Sequence, residues 1–263
     1  MEWFISLKNW VQKNRTLAEQ RKYGLIGKSL SYSFSKEYFK KNISKENPGT
    51  SYDLFELPSI KAVESLLGDL SVQGFNITIP YKESILAFAD EMSDEVTAIG
   101  ASNTFKRLPS GKWKAFNTDC SGFEKSIKPL IKNKKKALIL GTGGAAKAVK
   151  YSLNLLGVSS QLVSRKPSQE GQITYQDLSS ELLNENLIII NATPVGTSPN
   201  IEDSPPIPYH LLSPNHLLFD LVYNPDETTF LKKGKLAGCQ LKNGLEMLHL
   251  QAEKAWDIWN MPF

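Results

Sequence analysis

The chain has 263 residues, 41% of them hydrophobic and 22% charged, with a formal net charge of +4. That length leaves room for two domains with a core each, and the composition is that of an ordinary globular protein. The cations are dispersed apart from the run 132–136 and do not interleave with aromatic residues, which excludes a nucleic-acid surface.

Residues 1–20 carry Trp3, Phe4, Leu7, Trp10 and Val11 at helical spacing. They predict a short amphipathic helix whose apolar face docks on the protein or on a second subunit. Residues 23–27 read as a buried strand, followed by a serine-rich loop and a helix over 36–42. A strand over 51–57, helical spacing over 60–70 and a strand over 75–79 stopped by Pro80 come next. Ile85, Leu86, Phe88, Ala89 and Met92 predict a helix over 82–92. Two short strands, 102–107 and 113–116, flank the turn 108–111 as a hairpin. A helix over 120–130 then leads into strands near 137–140, 161–163, 187–190, 217–222 and 240–241, alternating with helices. Such alternation means a parallel sheet covered on both faces. A last helix runs over 244–259.

The expected class is therefore α/β. An N-terminal α/β domain spans 1–119, with 1–20 as an extension, and is completed by a C-terminal helix within 244–263. A Rossmann-like, doubly wound parallel-sheet nucleotide domain spans 120–243. Cys120 and Cys239 are too few and too far apart for a disulfide framework, and the histidines have no metal-ligand spacing, so no metal is expected. No apolar run approaches the ~18 residues of a membrane span, and the first residues are unlike a signal peptide. A reducing, cytoplasmic setting is the expectation.

Gly141, Thr142, Gly143, Gly144, Ala145 and Ala146 follow the apolar run 137–140 and open a helical stretch over 147–156. Strand, glycine turn and helix in that order, with G-x-G-x-x-A spacing, form a phosphate-binding element. Glycine lets the backbone approach a pyrophosphate, and the helix start offers N–H groups and a positive dipole end. A tight strand-to-helix turn alone also selects glycine. The next strand ends at Ser164, where a carboxylate would bind the ribose hydroxyl of NAD. Instead the chain has Ser164, Arg165 and Lys166, with no carboxylate before Glu170. Two cations and a hydroxyl suit a 2′-phosphate, so NADP is expected over NAD. A solvated basic loop accounts for the same spelling.

Asn76 and Thr78 fall on one face of the strand before Pro80, and Lys82 follows at the turn. Asn117, Thr118 and Asp119 close a strand and start a helix. Singly, an exposed first-turn lysine explains Lys82, and an N-cap explains Thr118 or Asp119. Together with four further segments, however, they make the chain resemble the shikimate dehydrogenase family from Tyr23 onward. The family's N-x-T-x-P-x-K is matched by 76–82, its G-A-x-N-T by 100–104 and its N-T-D by 117–119. Downstream matches are 191–196, 220–225 and 243–248, the last followed by Gln251 and Ala252. The first loop departs from the usual G-x-P-x-x-H-S-x-S-P, since 27–36 lacks both prolines and the histidine but keeps Ser33 and Ser35. Ser164 also stands where the family more often has asparagine, and residues 1–20 have no usual counterpart.

The resemblance implies reversible, NADPH-dependent reduction of 3-dehydroshikimate to shikimate, a step toward chorismate and the aromatic amino acids. Lys82 would be general acid in reduction and general base in oxidation, stabilising the developing alkoxide, with Asp119 orienting it. Ser33 and Ser35 would hold the substrate carboxylate; Asn76, Thr78, Asn103, Tyr223 and Gln251 would meet the rest of this small polyol. Thr193, Val222, Gly244 and Met247 would line the nicotinamide, in a cleft closed by hinges near Asp119 and Asn243. The expected partners are that small molecule and NADP, with no nucleic acid and no membrane, in a monomer or homodimer. The alternatives are a quinate/shikimate dehydrogenase using NAD and a non-catalytic nucleotide-sensing relative, which would not need Lys82 and Asp119.

Overall fold

A computed structural model describes residues 21–30, 34–46 and 49–262. The expected amphipathic helix over 1–20 and the candidate residue Ser33 lie outside the described residues. The chain divides into two compact units, Met1–Asn117 with Ala255–Phe263, and Thr118–Lys254.

In the first unit the elements run β1 (Lys22–Gly27), α1 (Phe34–Glu46), β2 (Ser51–Glu56), a 3-10 turn (Ile60–Val63), α2 (Glu64–Gly68), β3 (Val72–Ile77), a 3-10 turn (Ser84–Phe88), β4 (Glu91–Met92), α3 (Asp94–Ile99), β5 (Thr104–Arg107) and β6 (Trp113–Phe116). They build a six-stranded mixed sheet of order β2-β1-β3-β5-β6-β4. β1 lies parallel to β2 and β3, while β5 runs antiparallel to β3 and β6. Phe75, Ile77, Phe105, Trp113 and Ala115 fill one face together with Val63, Ile85 and Val96.

Two expected helices of this unit are corrected. Over 60–70 the helical spacing gives only the 3-10 turn and the five-residue α2. The chain breaks at Gly68 because Asp69 takes over the local donors, accepting from the Ser71 amide at 2.9 Å and its hydroxyl at 2.6 Å. The Arg107 guanidinium then gathers the carbonyls of Leu67, Asp69 and Val72 at 2.7–2.8 Å. Over 82–92 the helix is a 3-10 turn followed by strand β4. Pairing with β6 wins there: the Asp90 amide donates to the Trp113 carbonyl at 2.9 Å, and the Asp90 carboxylate accepts from the Trp113 amide at 2.7 Å. Helix α3 was not expected from the sequence.

The second unit runs α4 (Thr118–Ile131), β7 (Lys136–Leu140), α5 (Gly144–Leu155), β8 (Ser159–Val163), a 3-10 turn (Tyr175–Asp177), α6 (Ser180–Glu185), β9 (Ile188–Asn191), a 3-10 turn (Tyr209–Leu211), β10 (Leu217–Asp220), α7 (Thr229–Leu236), β11 (Gln240–Lys242) and α8 (Leu245–Asn260). Its five strands are parallel, in the order β11-β10-β9-β7-β8. Ala137 and Ile139 of β7 face one core with Phe123, Val149 and Phe219; Leu138 and Leu140 face another with Leu183, Phe230 and Leu231. Alternate residues of one strand thus feed cores on both faces, the doubly wound arrangement expected. From β7 the chain turns first to β8 on one side and then to β9 on the other. Ligands of such sheets bind outside the strand ends at that reversal.

The end of α8 belongs to the first unit. There Trp259 donates from Nε1 to the Phe105 carbonyl at 2.9 Å, and its ring lies where a side chain on Gly74 would have to go. The Lys106 ammonium, only 4% exposed, donates to the carbonyls of Ile258 and Met261 at 2.7 Å each. It closes the helix C-terminus with a positive charge, the sign the macrodipole favours.

Candidate active site

At the end of β7, Gly141 has φ +112°, a conformation that disfavours any side chain. Its amide donates to the Val163 carbonyl at 2.9 Å, and an added Cβ would sit 3.1 Å from Thr193 Cγ2 and 3.2 Å from the Ala192 carbonyl. The glycine turn and the loop after β9 therefore close on one another across the reversal point. Gly143 is the N-cap of α5, in extended backbone. Among the described residues no side chain caps this helix, and its first turn holds no carboxylate. A Cβ on Gly143 would meet nothing within 4 Å. Open space in front of a twelve-residue helix start, bordered by Thr142, Gly144 and Ala145, fits a pyrophosphate.

At the end of β8 the Ser164 hydroxyl accepts from the Lys166 amide at 3.1 Å, which curls the loop and leaves Arg165 and Lys166 exposed. Burial raises the Tyr175 phenol pKa, and the Arg165 charge partly offsets this. The basic loop borders the glycine turn through the Gly141–Val163 bond.

The loops that carry Thr193 and Val222 are fastened by groups that sequence reasoning quoted within motifs but gave no role. Asn191 and Asp220 are register partners at the ends of β9 and β10, both fully buried. Asn191 donates to Asp220 Oδ1 at 2.9 Å and to the Val195 carbonyl at 3.2 Å; its Oδ1 accepts from the Thr193 amide at 3.1 Å and hydroxyl at 2.6 Å. Asp220 also accepts from the Val222 amide at 3.0 Å and from the Thr228 hydroxyl at 2.5 Å. Burial pushes the Asp220 carboxyl from 3.8 up to about 6, against the pull of those donors. The available signal was a lone polar residue ending each of two apolar parallel strands. Gly244 follows; its amide donates to the Val222 carbonyl at 3.2 Å, and a side chain on it would run into the Leu221 carbonyl. Met247 packs into the core beside Phe123. Tyr223 is half-buried, and burial raises its phenol pKa.

Thr118 and Asp119 lie in the first turn of α4, and Asp119 is 6% exposed. The Thr118 hydroxyl donates to Gln251 Oε1 at 3.3 Å, while Gln251 Nε2 donates to the Leu248 carbonyl at 3.0 Å. Asp119 and Gln251 are thus brought to adjoining turns of α4 and α8.

In the first unit, Lys82 follows β3 and is half-buried; its carbonyl accepts from the Ser102 amide at 2.8 Å, one residue before Asn103. Thr78 continues the β3 ladder by donating its amide to the Ile26 carbonyl at 2.9 Å. Asn103 and Asn76 are buried and belong to one network. Asn76 Nδ2 donates to the Asn103 carbonyl at 3.3 Å and to Thr104 Oγ1 at 3.1 Å; Thr104 Oγ1 donates to Asn103 Oδ1 at 3.2 Å. The Tyr52 hydroxyl donates to Asn76 Oδ1 at 2.9 Å, and the Ser35 side chain hydrogen-bonds Tyr52 in turn. Both hydrogens of the Asn76 amide are engaged, and its oxygen accepts from Tyr52 with one lone pair left over. Ser35 lies in the first turn of α1, one residue inside the helix. Tyr52 and Thr104 were missed because an aromatic and a threonine in strands read as packing.

Residues 25–105 match the family model of the shikimate dehydrogenase substrate binding domain. A curated protein from Caldicellulosiruptor saccharolyticus, named Shikimate dehydrogenase (NADP(+)), is 40% identical over 91% of this chain and 92% of its own. Shikimate dehydrogenase 1 from Peptoclostridium difficile superposes with a TM-score of 0.80 at 36% identity, covering 91% of each chain. Shikimate 5-dehydrogenase from Thermus thermophilus, solved in complex with NADP(H) and shikimate, superposes with a TM-score of 0.80 at 30% identity, covering 91% of this chain and 93% of its own. With two thirds or more of both chains aligned at such identities, this chain belongs to the shikimate dehydrogenase family.

Proposed function

We infer that this chain catalyses the reversible, NADPH-dependent reduction of 3-dehydroshikimate to shikimate. The observation that carries the reading is the uncapped, glycine-lined start of α5 followed by Ser164, Arg165 and Lys166 with no carboxylate, in a member of this family. The NADP named in the relatives matches that chemistry, so an NAD-dependent quinate activity is not favoured. A reaction of this kind also accounts for Lys82 and Asp119, which a purely sensing relative would not need.

Bound NADPH supplies the hydride that reduces the ketone carbon. Lys82 provides the proton for the oxygen and, as a cation, stabilises the negative charge that develops there. Asp119, held in the first turn of α4, orients that ammonium. Ser35, with Ser33 before it, receives the substrate carboxylate at the N-terminus of α1, whose dipole favours an anion. Thr78, Asn103, Tyr223, Gln251 and Asn76 receive the ring hydroxyls. Gly141, Thr142, Gly143, Gly144 and Ala145 cradle the pyrophosphate, and Ser164, Arg165 and Lys166 take the 2′-phosphate. Thr193, Val222, Gly244 and Met247 border the nicotinamide.

No cluster of metal-ligating side chains exists among the described residues, and no helix among them is long and apolar enough to cross a membrane. The reading includes a cytoplasmic enzyme, monomeric or homodimeric, with no nucleic-acid partner. Its test is cofactor reduction followed by absorbance with shikimate or quinate, each with NADP+ or NAD+. Shikimate with NADP+ is expected to give the largest kcat/KM; faster oxidation of quinate with NAD+ would overturn the assignment.

A further inference from the structure

Tyr52 touches two residues assigned above to the substrate, and no packing role requires its hydroxyl. The ring, 5% exposed, stacks on Phe39 at 4.5 Å between centroids and 18° between planes, with Trp259 at 6.3 Å. A phenylalanine would fill that space equally well. A buried hydroxyl is costly unless it is paired, and this one is paired with Asn76 Oδ1 at 2.9 Å and with Ser35. The stacked ring fixes where the oxygen stands, so both partners are held to a rigid point of the core.

We propose that Tyr52 is the positioning residue of the substrate site, coupling Ser35, which receives the carboxylate, to Asn76, which receives a ring hydroxyl. The inference rests on the function proposed above. A phenol has one proton and can donate it to one partner at a time. Without substrate it donates to Asn76, and Ser35 donates to it. When a carboxylate accepts the Ser35 hydrogen bond, that hydroxyl no longer donates to Tyr52, and the Tyr52 hydroxyl turns to donate to Ser35 Oγ. That turn strengthens the serine as a donor and releases Asn76 Oδ1 to accept from the substrate. Binding of the carboxylate thereby opens the acceptor for the hydroxyl.

The test is a double-mutant cycle with Tyr52→Phe, Ser35→Ala and both together, measuring kcat, both KM values and the thermal midpoint. Tyr52→Phe is expected to raise KM for shikimate about tenfold, the order of one neutral hydrogen bond. It should leave kcat within about threefold and KM for NADP+ within about twofold. On the Ser35→Ala background the same change should add less than about twofold, because its route to substrate is already cut. Unchanged KM for shikimate in Tyr52→Phe would overturn the proposal and leave the enzyme assignment standing. Independent, multiplying effects would overturn the coupling through Ser35. A large fall in thermal midpoint with all kinetic constants shifting alike would make Tyr52 a core residue only. A wild-type chain that does not oxidise shikimate would overturn both readings.

Discussion

In the second unit the groups offered to a ligand are main-chain amides at the start of α5, exposed by glycines that carry nothing. In the first unit they are hydroxyls and amides that hold one another, from Ser35 through Tyr52 and Asn76 to Thr104 and Asn103. A backbone-built site tolerates truncation and is spoiled by an added atom. A side-chain-built site fills its own hydrogen bonds and is spoiled by removing one. The difference suits the ligands: a pyrophosphate needs close approach and a dipole, whereas a polyol needs donors and acceptors fixed one by one.

The largest effect belongs to the side chain assigned to the chemistry. Lys82→Ala is expected to lower kcat by about 10²–10⁴-fold, the range of general acid–base catalysis, with KM for NADP+ little changed. Steady-state rates with shikimate decide it; turnover within about tenfold of wild type would remove Lys82 from the proton transfer.

Gly143→Ala turns the comparison around, because here an atom is added and none is lost. The position has ordinary extended backbone and free space around a new Cβ, so the thermal midpoint should stay where it is. The methyl would stand where the phosphates approach, and KM for NADP+ should rise ~10–100-fold, the loss of one or two charge-assisted hydrogen bonds. Unaltered NADP+ affinity would mean that the start of α5 is not the anion site. Arg165→Ala should have a smaller and more selective effect, since the guanidinium is exposed. KM for NADP+ should rise about tenfold while that for NAD+ stays constant; equal changes for both cofactors would break the 2′-phosphate assignment.

The same contrast explains what could be read from the sequence. The glycine turn and the alternation of strands and helices follow from local spelling and a period of two, because main-chain chemistry is local. The first unit was legible as α/β, but its helices over 60–70 and 82–92 gave way to tertiary bonds from Arg107 and Trp113 that no window of neighbouring residues contains. The candidate side chains were found through six motifs. What arranges them was not, since Tyr52 reaches Asn76 across 24 positions and Asn191 reaches Asp220 across 29. A residue that acts through another has no spacing of its own.

Asp220 gives the smallest and most discriminating prediction, because it is a charged side chain inside the backbone-built region. Burial raises its folded pKa to about 6 from an ordinary 3.8. A raised carboxyl pKa means that the folded chain holds the proton more tightly than the unfolded one. The stability it contributes is complete below about pH 4 and is lost as pH rises through 6, falling by about 1 kcal/mol between pH 5 and pH 7. Asp220→Asn keeps the shape, and its amide can still meet Thr228, but it cannot titrate. Urea unfolding at pH 5 and pH 7 should therefore show wild type losing about 1 kcal/mol more across that interval than the variant. An equal change in both proteins would mean that the carboxyl titrates as an ordinary exposed acid. Asp220 would then stay ionised across the interval, its burial offset by the hydrogen bonds it accepts from Asn191, Val222 and Thr228.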